Sequence, residues 1–319
     1  MLRTDVSFVR LASYLVSPRL AQLAVFPVTD AVFTLNAHTL VLRYLLVLFS
    51  SCTLATEGGG SNYLPGFYGD FAMAVMPAAG TYFTNFMTAY QDKTSKTGTL
   101  IELPSIVQVT GYQVLGGYYS AGIYPGIAIT KDHGGSHHQD RLGAADAYLM
   151  PVAIYWQWSN LTALFYEGII APTGNYQKNG LSTGRNIWTF DHILSLSWQL
   201  PGDNELSTTL GYMNNLKNQA TGYGSGDELH FDYNFGHYFS PSLGLGVAGS
   251  YYRQVTADHA PADILTTTLS EASSIGPVLM LTPYWLERDV TFSLKWLHEY
   301  NVQGRMAQDY LVCRVVFAF

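Results

Sequence analysis

Charge is scarce in this sequence. Asp, Glu, Lys and Arg make up 12% of its 319 residues, against ~25% in ordinary soluble domains. Aromatics stand at 14%, which excludes a disordered chain, since such chains are highly charged and poor in aromatics. Sixteen basic residues face 23 acidic ones, a net charge of −7, so no basic stripe exists to neutralise a nucleic-acid backbone. Cysteine is nearly absent: Cys52 and Cys313 exclude a disulfide framework and a Cys-rich metal site. Long apolar runs are missing too. The longest, Tyr44 to Phe49, falls far short of the ~20 residues of a transmembrane helix.

That one run has the flanks of a secretory signal. Arg43 precedes it, and the small residues that follow end at Ala55 with Thr53 at the −3 position. Cleavage is expected after Ala55. The 42 residues ahead of Arg43 point to a start codon set too far upstream, a long genuine leader being the alternative. Cys52 follows a Phe-Ser-Ser triplet, a poor lipidation signal. The expected organisation is a leader over 1–55, an N-terminal segment over 56–79 and a main domain over 80–319.

What the mature chain has in abundance is alternation. In the last ten residues Leu311, Cys313, Val315, Phe317 and Phe319 share one face, and Tyr310, Val312, Arg314, Val316 and Ala318 the other. Leu294 and Trp296 oppose Ser293, Lys295, Leu297 and Glu299; Phe231, Tyr233 and Phe235 oppose His230, Asp232 and Asn234; Leu194, Leu196 and Trp198 oppose Ser195 and Ser197. A soluble sandwich would carry charge on its outer faces. Here the polar faces are mild and the apolar faces end in aromatics, the pattern of a barrel with lipid outside and a polar lumen. In lipid such a sheet must close on itself. The expected fold class is therefore all-β: a closed antiparallel transmembrane barrel of twelve strands, near 81–91, 101–114, 117–129, 144–158, 161–171, 187–200, 205–214, 227–239, 243–255, 274–285, 290–300 and 309–319. The connections between them are expected to alternate short and long without exception. Short turns belong in the periplasm and long loops outside the cell, placing both chain ends of the barrel in the periplasm. The expected partners are outer-membrane lipid and the barrel assembly machinery, which would read the terminal Phe319. No nucleic acid and no cofactor is expected.

Several stretches resemble an outer-membrane family named for the MetA pathway of phenol degradation. They are Thr56-Glu-Gly-Gly-Gly-Ser61, Pro77-Ala-Ala-Gly-Thr-Tyr-Phe83, Ala171-Pro-Thr-Gly-Asn-Tyr176, Gly184-Arg-Asn-Ile-Trp-Thr-Phe190, Ser225-Gly-Asp-Glu-Leu-His230, Tyr252-Arg-Gln-Val-Thr256 and Gly276-Pro277, in family order over residues 56–319. The resemblance implies a bacterial outer-membrane barrel that takes up hydrophobic or aromatic compounds for catabolism. The departures are the leader, the His-rich stretch 132–140 and Leu229, where the family pattern has an aromatic.

Lipid excludes charge from the outer face at a cost of ~2–4 kcal/mol per Lys or Arg at mid-depth. Lys295, Glu299, Arg314, Asp232, His230 and Asp191 are therefore expected to face the lumen, together with Tyr310 and Tyr124. These eight are the candidate solute-facing residues; pairing across the lumen is the structural alternative. Ser207 and Thr209 are expected on the same mildly polar wall. The tryptophans Trp156, Trp158, Trp188, Trp285 and Trp296 are expected in the interface girdles. Asp132, His133, His137, His138 and Asp140 are residue types that hold metals, but a long solvated loop is the preferred reading and no metal site is expected there. His192 and Ser195 raise a lipid-modifying enzyme, yet in a strand they point to opposite faces, and no nucleophile elbow occurs. Residues 56–79 hold Phe67, Tyr68, Phe71, Met73, Val75 and Met76 and would form either an inward plug or packing on the periplasmic rim. Three functions stay open: a passive channel, a structural or adhesive barrel, and, more remotely, an enzyme.

Overall fold

The computed structural model describes Glu57 and residues 60–94, 97–132, 138–261, 269–283 and 290–319. The leader with its signal, and His133 and His137 of the His-rich stretch, lie outside the described residues, as does Trp285. The period-2 segments become twelve strands: β1 (Gly80–Asp92), β2 (Gly98–Val114), β3 (Gly117–Asp132), β4 (Gln139–Gln157), β5 (Leu161–Ala171), β6 (Thr189–Leu200), β7 (Asn204–Asn215), β8 (Glu228–Ser240), β9 (Leu243–Gln254), β10 (Glu271–Leu281), β11 (Val290–Gln303) and β12 (Gln308–Ala318). Each pairs antiparallel with its sequence neighbours, and β1 closes on β12 from Tyr82↔Ala318 to Asp92↔Gln308. Closure gives every strand two partners, so no sheet edge is left unpaired.

The faces fall as the alternation requires. Leu294, Trp296, Leu311, Phe235, Leu194 and Trp198 are exposed, whereas Ser293, Lys295, Leu297, Val312, Asp232 and Ser195 are buried. The strict alternation of connection lengths does not hold. The β1–β2 and β11–β12 links have shrunk to residues 93–97 and 304–307, while β10–β11 spans 282–289. The cause is strand length: β2, β4 and β11 run to 17, 19 and 14 residues and consume what looked like loop. The other short connections, 115–116, 158–160, 201–203 and 241–242, lie at one end of the barrel, here the turn end. Trp156 and Trp158 lie at that end, Trp156 donating to the Leu115 carbonyl, and Trp188 lies at the loop end. Trp296, expected in a girdle, sits mid-strand in β11.

Residues 60–79 lead into β1 from inside. Tyr63, Phe67, Tyr68, Asp70, Phe71 and Ala74 are all buried, and their partners are the inward positions of β6, β7, β8, β11 and β12. Ser61 and Asn62 reach Glu228 and Thr189 near the loop end, and the Ala74 N–H donates to Ser197 near the turn end. The segment thus descends the lumen along one wall. Phe71 needs the space that glycine leaves there: a Cβ at Gly236 would collide with its ring.

Candidate functional site

Seven strands make a polar wall against which the segment lies. Tyr63 Oη donates to Asp232 Oδ1 at 2.9 Å, and Tyr68 Oη donates to Asp191 Oδ2 at 2.7 Å. The His230 ring packs against both, 4.6 Å from the Tyr63 ring and 4.7 Å from that of Tyr68, which are themselves 6.1 Å apart. His230 Nε2 is 3.1 Å from Asp191 and Nδ1 3.3 Å from Asp232. Thr209 Oγ1 donates to the Tyr68 carbonyl. Burial of a carboxylate or imidazole is costly unless each is paired and hydrogen-bonded, and this cluster meets that condition.

One turn of chain further on, Asp70 is wholly buried. Arg314 Nε stands 3.0 Å from its Oδ2 and Lys295 Nζ 3.7 Å, while Ser293 donates to Oδ1 at 2.8 Å. Lys295 also donates to the carbonyls of Gly66 and Gly69. Burial alone would push the Asp70 carboxyl up; Arg314 and Lys295 outweigh it and hold the group below the ordinary carboxylate range. Below this the Ala72 N–H donates to Glu205 Oε1 at 2.5 Å.

All eight sequence candidates are inward, but they fall into three groups. Asp191, His230, Asp232, Lys295 and Arg314 grip the segment rather than pair across an open lumen. Glu299 and Tyr310 form a separate cluster at the loop end, where Arg305 bonds Glu299, the Gln308 N–H donates to it at 2.8 Å and Arg305 lies 5.6 Å over the Tyr252 ring. Tyr124 borders open space, as does Arg314 on its other side. Ser207 and Thr209, expected on the same wall as Tyr124, are buried on the opposite side, where Ser207 bonds Ser197 and Thr209 bonds Ser195. His192 points outward to Glu167 at 2.7 Å and Asn214 at 3.1 Å, on the other face of β6 from Ser195.

The remaining wall, β1 to β5, is not filled; its aromatic and aliphatic side chains are interspersed with Thr84, Ser105, Ser120 and Thr130, and Glu57, Asp146, Lys178 and Arg185 border its outer cavity. Toward the loop end a cavity of about 470 Å³ lies between Phe67, Tyr90, Ile101, Leu103, Tyr148 and the 176–187 stretch of the β5–β6 loop. Toward the turn end a second, of about 130 Å³, is bounded by Phe86, Val107, Tyr124, Met150, Tyr166 and Met76. Phe67 and Tyr148 line both. The Phe67 ring is 4.3 Å from Phe86 and 5.7 Å from Tyr148, and Tyr148 is 5.6 Å from Tyr124 in an edge-on contact. The four rings close the space between the cavities. Tyr148 fits only because β5 has Gly168 beneath its hydroxyl, where a Cβ would clash.

Sequence reasoning missed Asp146, Arg185, Phe67 as a constriction residue, and Tyr148. Asp146 fastens the β5–β6 loop: Gly174 N–H donates to it at 2.8 Å and Arg185 N–H at 2.6 Å. The Arg185 guanidinium then donates to the carbonyls of Glu57 and Gly60, holding the start of the segment. The signal was present in Ala171-Pro-Thr-Gly and Gly184-Arg-Asn, which the fold crosses over Asp146.

The family described as "Putative MetA-pathway of phenol degradation" matches residues 84–315, well over half of the sequence. The chain belongs to this family. No curated protein matches it. Among solved structures, an outer-membrane channel from Pseudomonas putida F1 has a TM-score of 0.67 at 13% identity, covering 81% of this chain and 100% of that one. The β domain of the Bordetella autotransporter BrkA has a TM-score of 0.43 at 12% identity, covering 76% and 100%. The KdgM porin, solved with disordered oligogalacturonate, has 0.42 at 9%, covering 75% and 99%. The likeness to the Pseudomonas channel is one of fold, and this family member is a barrel of the bacterial outer membrane.

Proposed function

We propose that this protein is a passive outer-membrane channel for small hydrophobic or aromatic solutes, in keeping with the family's association with phenol degradation. The observation that carries the reading is the pair of cavities on the β1–β5 wall, separated by four aromatic rings. The outer cavity, about 470 Å³, is of the size that holds a small ligand, ~300–1,000 Å³. Rings can part by rotamer changes without breaking a backbone ladder, so the barrier is low for an apolar solute and high for a hydrated one. The segment 57–79 acts as a resident plug, held on the polar wall while the solute passes the other. The loop end faces the exterior and the turn end the periplasm, as turn lengths in such barrels require.

A structural barrel with no transport draws its support from the same closed rings and from the paired charges of the polar wall. The two readings part in proteoliposomes. A channel of the proposed kind releases p-nitrophenol faster than protein-free vesicles do and leaves arabinose trapped. Equal release of p-nitrophenol with and without protein would favour the structural reading. Ser195 and His192, the pair that raised an enzymatic reading, lie on opposite faces of β6.

A further inference from the structure

The outer cavity has two unlike ends. Its floor is the ring constriction, Phe67 and Tyr148, with Leu103 beside them; its mouth is the 176–187 stretch of the β5–β6 loop. Four charged side chains border it: Glu57, Asp146, Lys178 and Arg185. The two anions already have donors. Asn218 donates to Glu57 Oε2 at 2.8 Å, and the backbone N–H groups of Gly174 and Arg185 donate to Asp146 at 2.8 and 2.6 Å. The two cations are less well served. Among the described residues neither forms an ion pair, and Lys178 is exposed and forms no hydrogen bond. One terminal nitrogen of Arg185 donates to the carbonyls of Glu57 and Gly60, while its Nε is buried with no partner at all.

Buried donors almost always find an acceptor, so an orphaned one calls for an explanation. A guanidinium carries five N–H donors and no acceptor, and an ammonium three donors and none. What this cavity lacks is therefore an acceptor, and the acceptor that fits the planar guanidinium fork is a carboxylate. The four formal charges at its border balance, so an entering monoanion meets no net charge of its own sign. The same bias recurs beyond the rings. Arg314 borders the inner cavity, and it shares the one carboxylate of Asp70 with Lys295, two cations in direct contact with one anion.

We propose that the outer cavity is a capture site for small aromatic monocarboxylates, with the ring on Phe67 and Tyr148 and the carboxylate turned to Arg185 and Lys178 at the mouth. The proposal rests on the channel reading above and names the solute class: an aromatic acid in preference to the matching alcohol or amine. In this orientation the ring enters the constriction first, and Arg314 is the next cation the carboxylate meets on the far side. An amine would bring a third cation to donors that already lack acceptors. A neutral hydroxyl would offer one weak acceptor where the fork takes two charged oxygens.

Benzoate, benzyl alcohol and benzylamine carry one ring with an anionic, a neutral and a cationic end at neutral pH. Titration calorimetry of the full barrel in detergent micelles, corrected for micelles alone, should show saturable binding of benzoate and roughly tenfold weaker binding, or none, of the other two. Arg185→Gln should weaken benzoate roughly tenfold and Arg185→Lys, which keeps the charge and loses the fork, by less. Arg185 also holds the start of the segment, so protection of residues 60–79 from protease is read alongside. Lys178 holds nothing in the fold, so Lys178→Glu should assemble as the wild type does and still weaken benzoate several-fold. Equal binding of the three ligands by the wild type, or benzoate binding that Lys178→Glu and Arg185→Gln both leave unchanged, overturns the carboxylate site. Release of p-nitrophenol from proteoliposomes tests the channel reading separately. Release without a preference for benzoate leaves the channel standing and removes the site; benzoate binding without release overturns the channel and the solute role with it.

Discussion

The two walls of this lumen are built from one alternating pattern and do opposite things. On the β6–β12 side, beside an apolar patch of Val278, Leu297 and Val312, stand Asp191, His230, Asp232, Lys295 and a set of Ser and Thr residues that find partners in the segment 60–74 or in a neighbouring strand. On the β1–β5 side they are mostly Phe, Tyr, Leu, Val and Met with single Ser and Thr residues between them, and the space in front of them is left open in two chambers. A polar wall can hold a chain segment because hydrogen bonds are directional and fix it at stated atoms. An apolar wall cannot fix anything that way, but a solute can slide on it. The difference assigns anchoring to one wall and passage to the other, and it can be broken residue by residue.

The largest effect should come from the buried ion cluster. Asp70→Ala leaves Lys295 and Arg314 buried without their anion, a loss of about 3–5 kcal/mol. The barrel should persist, because its ladders are untouched, while residues 60–79 lose their hold. Limited proteolysis should then cut the segment in Asp70→Ala and spare it in the wild type, and single-channel conductance should rise. Protection equal to that of the wild type would show that the anchoring wall is not what holds the segment.

Next in size is the outer face. Leu294→Arg places a cation in lipid at mid-strand, at a cost of ~2–4 kcal/mol, and should reduce the yield of heat-modifiable folded barrel. Ser293→Arg points inward but onto Asp70, so it should assemble and disturb the segment instead. Equal assembly defects in the two would contradict the register.

Much of the fold was legible before any coordinates. Most strand ends lie within three residues of those expected because lipid outside and polar groups inside write a strict period of two. The inward placement of Lys295 or Asp232 followed for the same reason. What the sequence hid is pairing at a distance. Asp70 and Ser293 are 223 positions apart, and nothing periodic marks residues 60–79, whose backbone bonds go to side chains of the wall and not to a strand. Loop lengths misled where β2, β4 and β11 continue past the barrel rim.

A smaller effect tests one contact of the polar wall. Ser197→Ala removes the acceptor of the Ala74 N–H, 2.9 Å away, and should weaken the lower end of the segment by about 1 kcal/mol. Hydrogen exchange at Ala74 should quicken accordingly while that at Tyr68, held by Asp191, does not. Faster exchange along the whole segment would mean that it detaches as one unit.

The central claim is that solute passes the aromatic rings of the β1–β5 wall while the segment stays in place. Phe67→Ala removes one of the two rings that line both cavities; it gives up an edge contact with Tyr68 but none of the anchoring hydrogen bonds of Tyr63, Tyr68 and Asp70. Its p-nitrophenol flux in proteoliposomes should rise several-fold over the wild type, with arabinose still retained and residues 60–79 still protected from protease. A variant that admits arabinose as readily as p-nitrophenol, or whose p-nitrophenol flux is unchanged, would contradict the account.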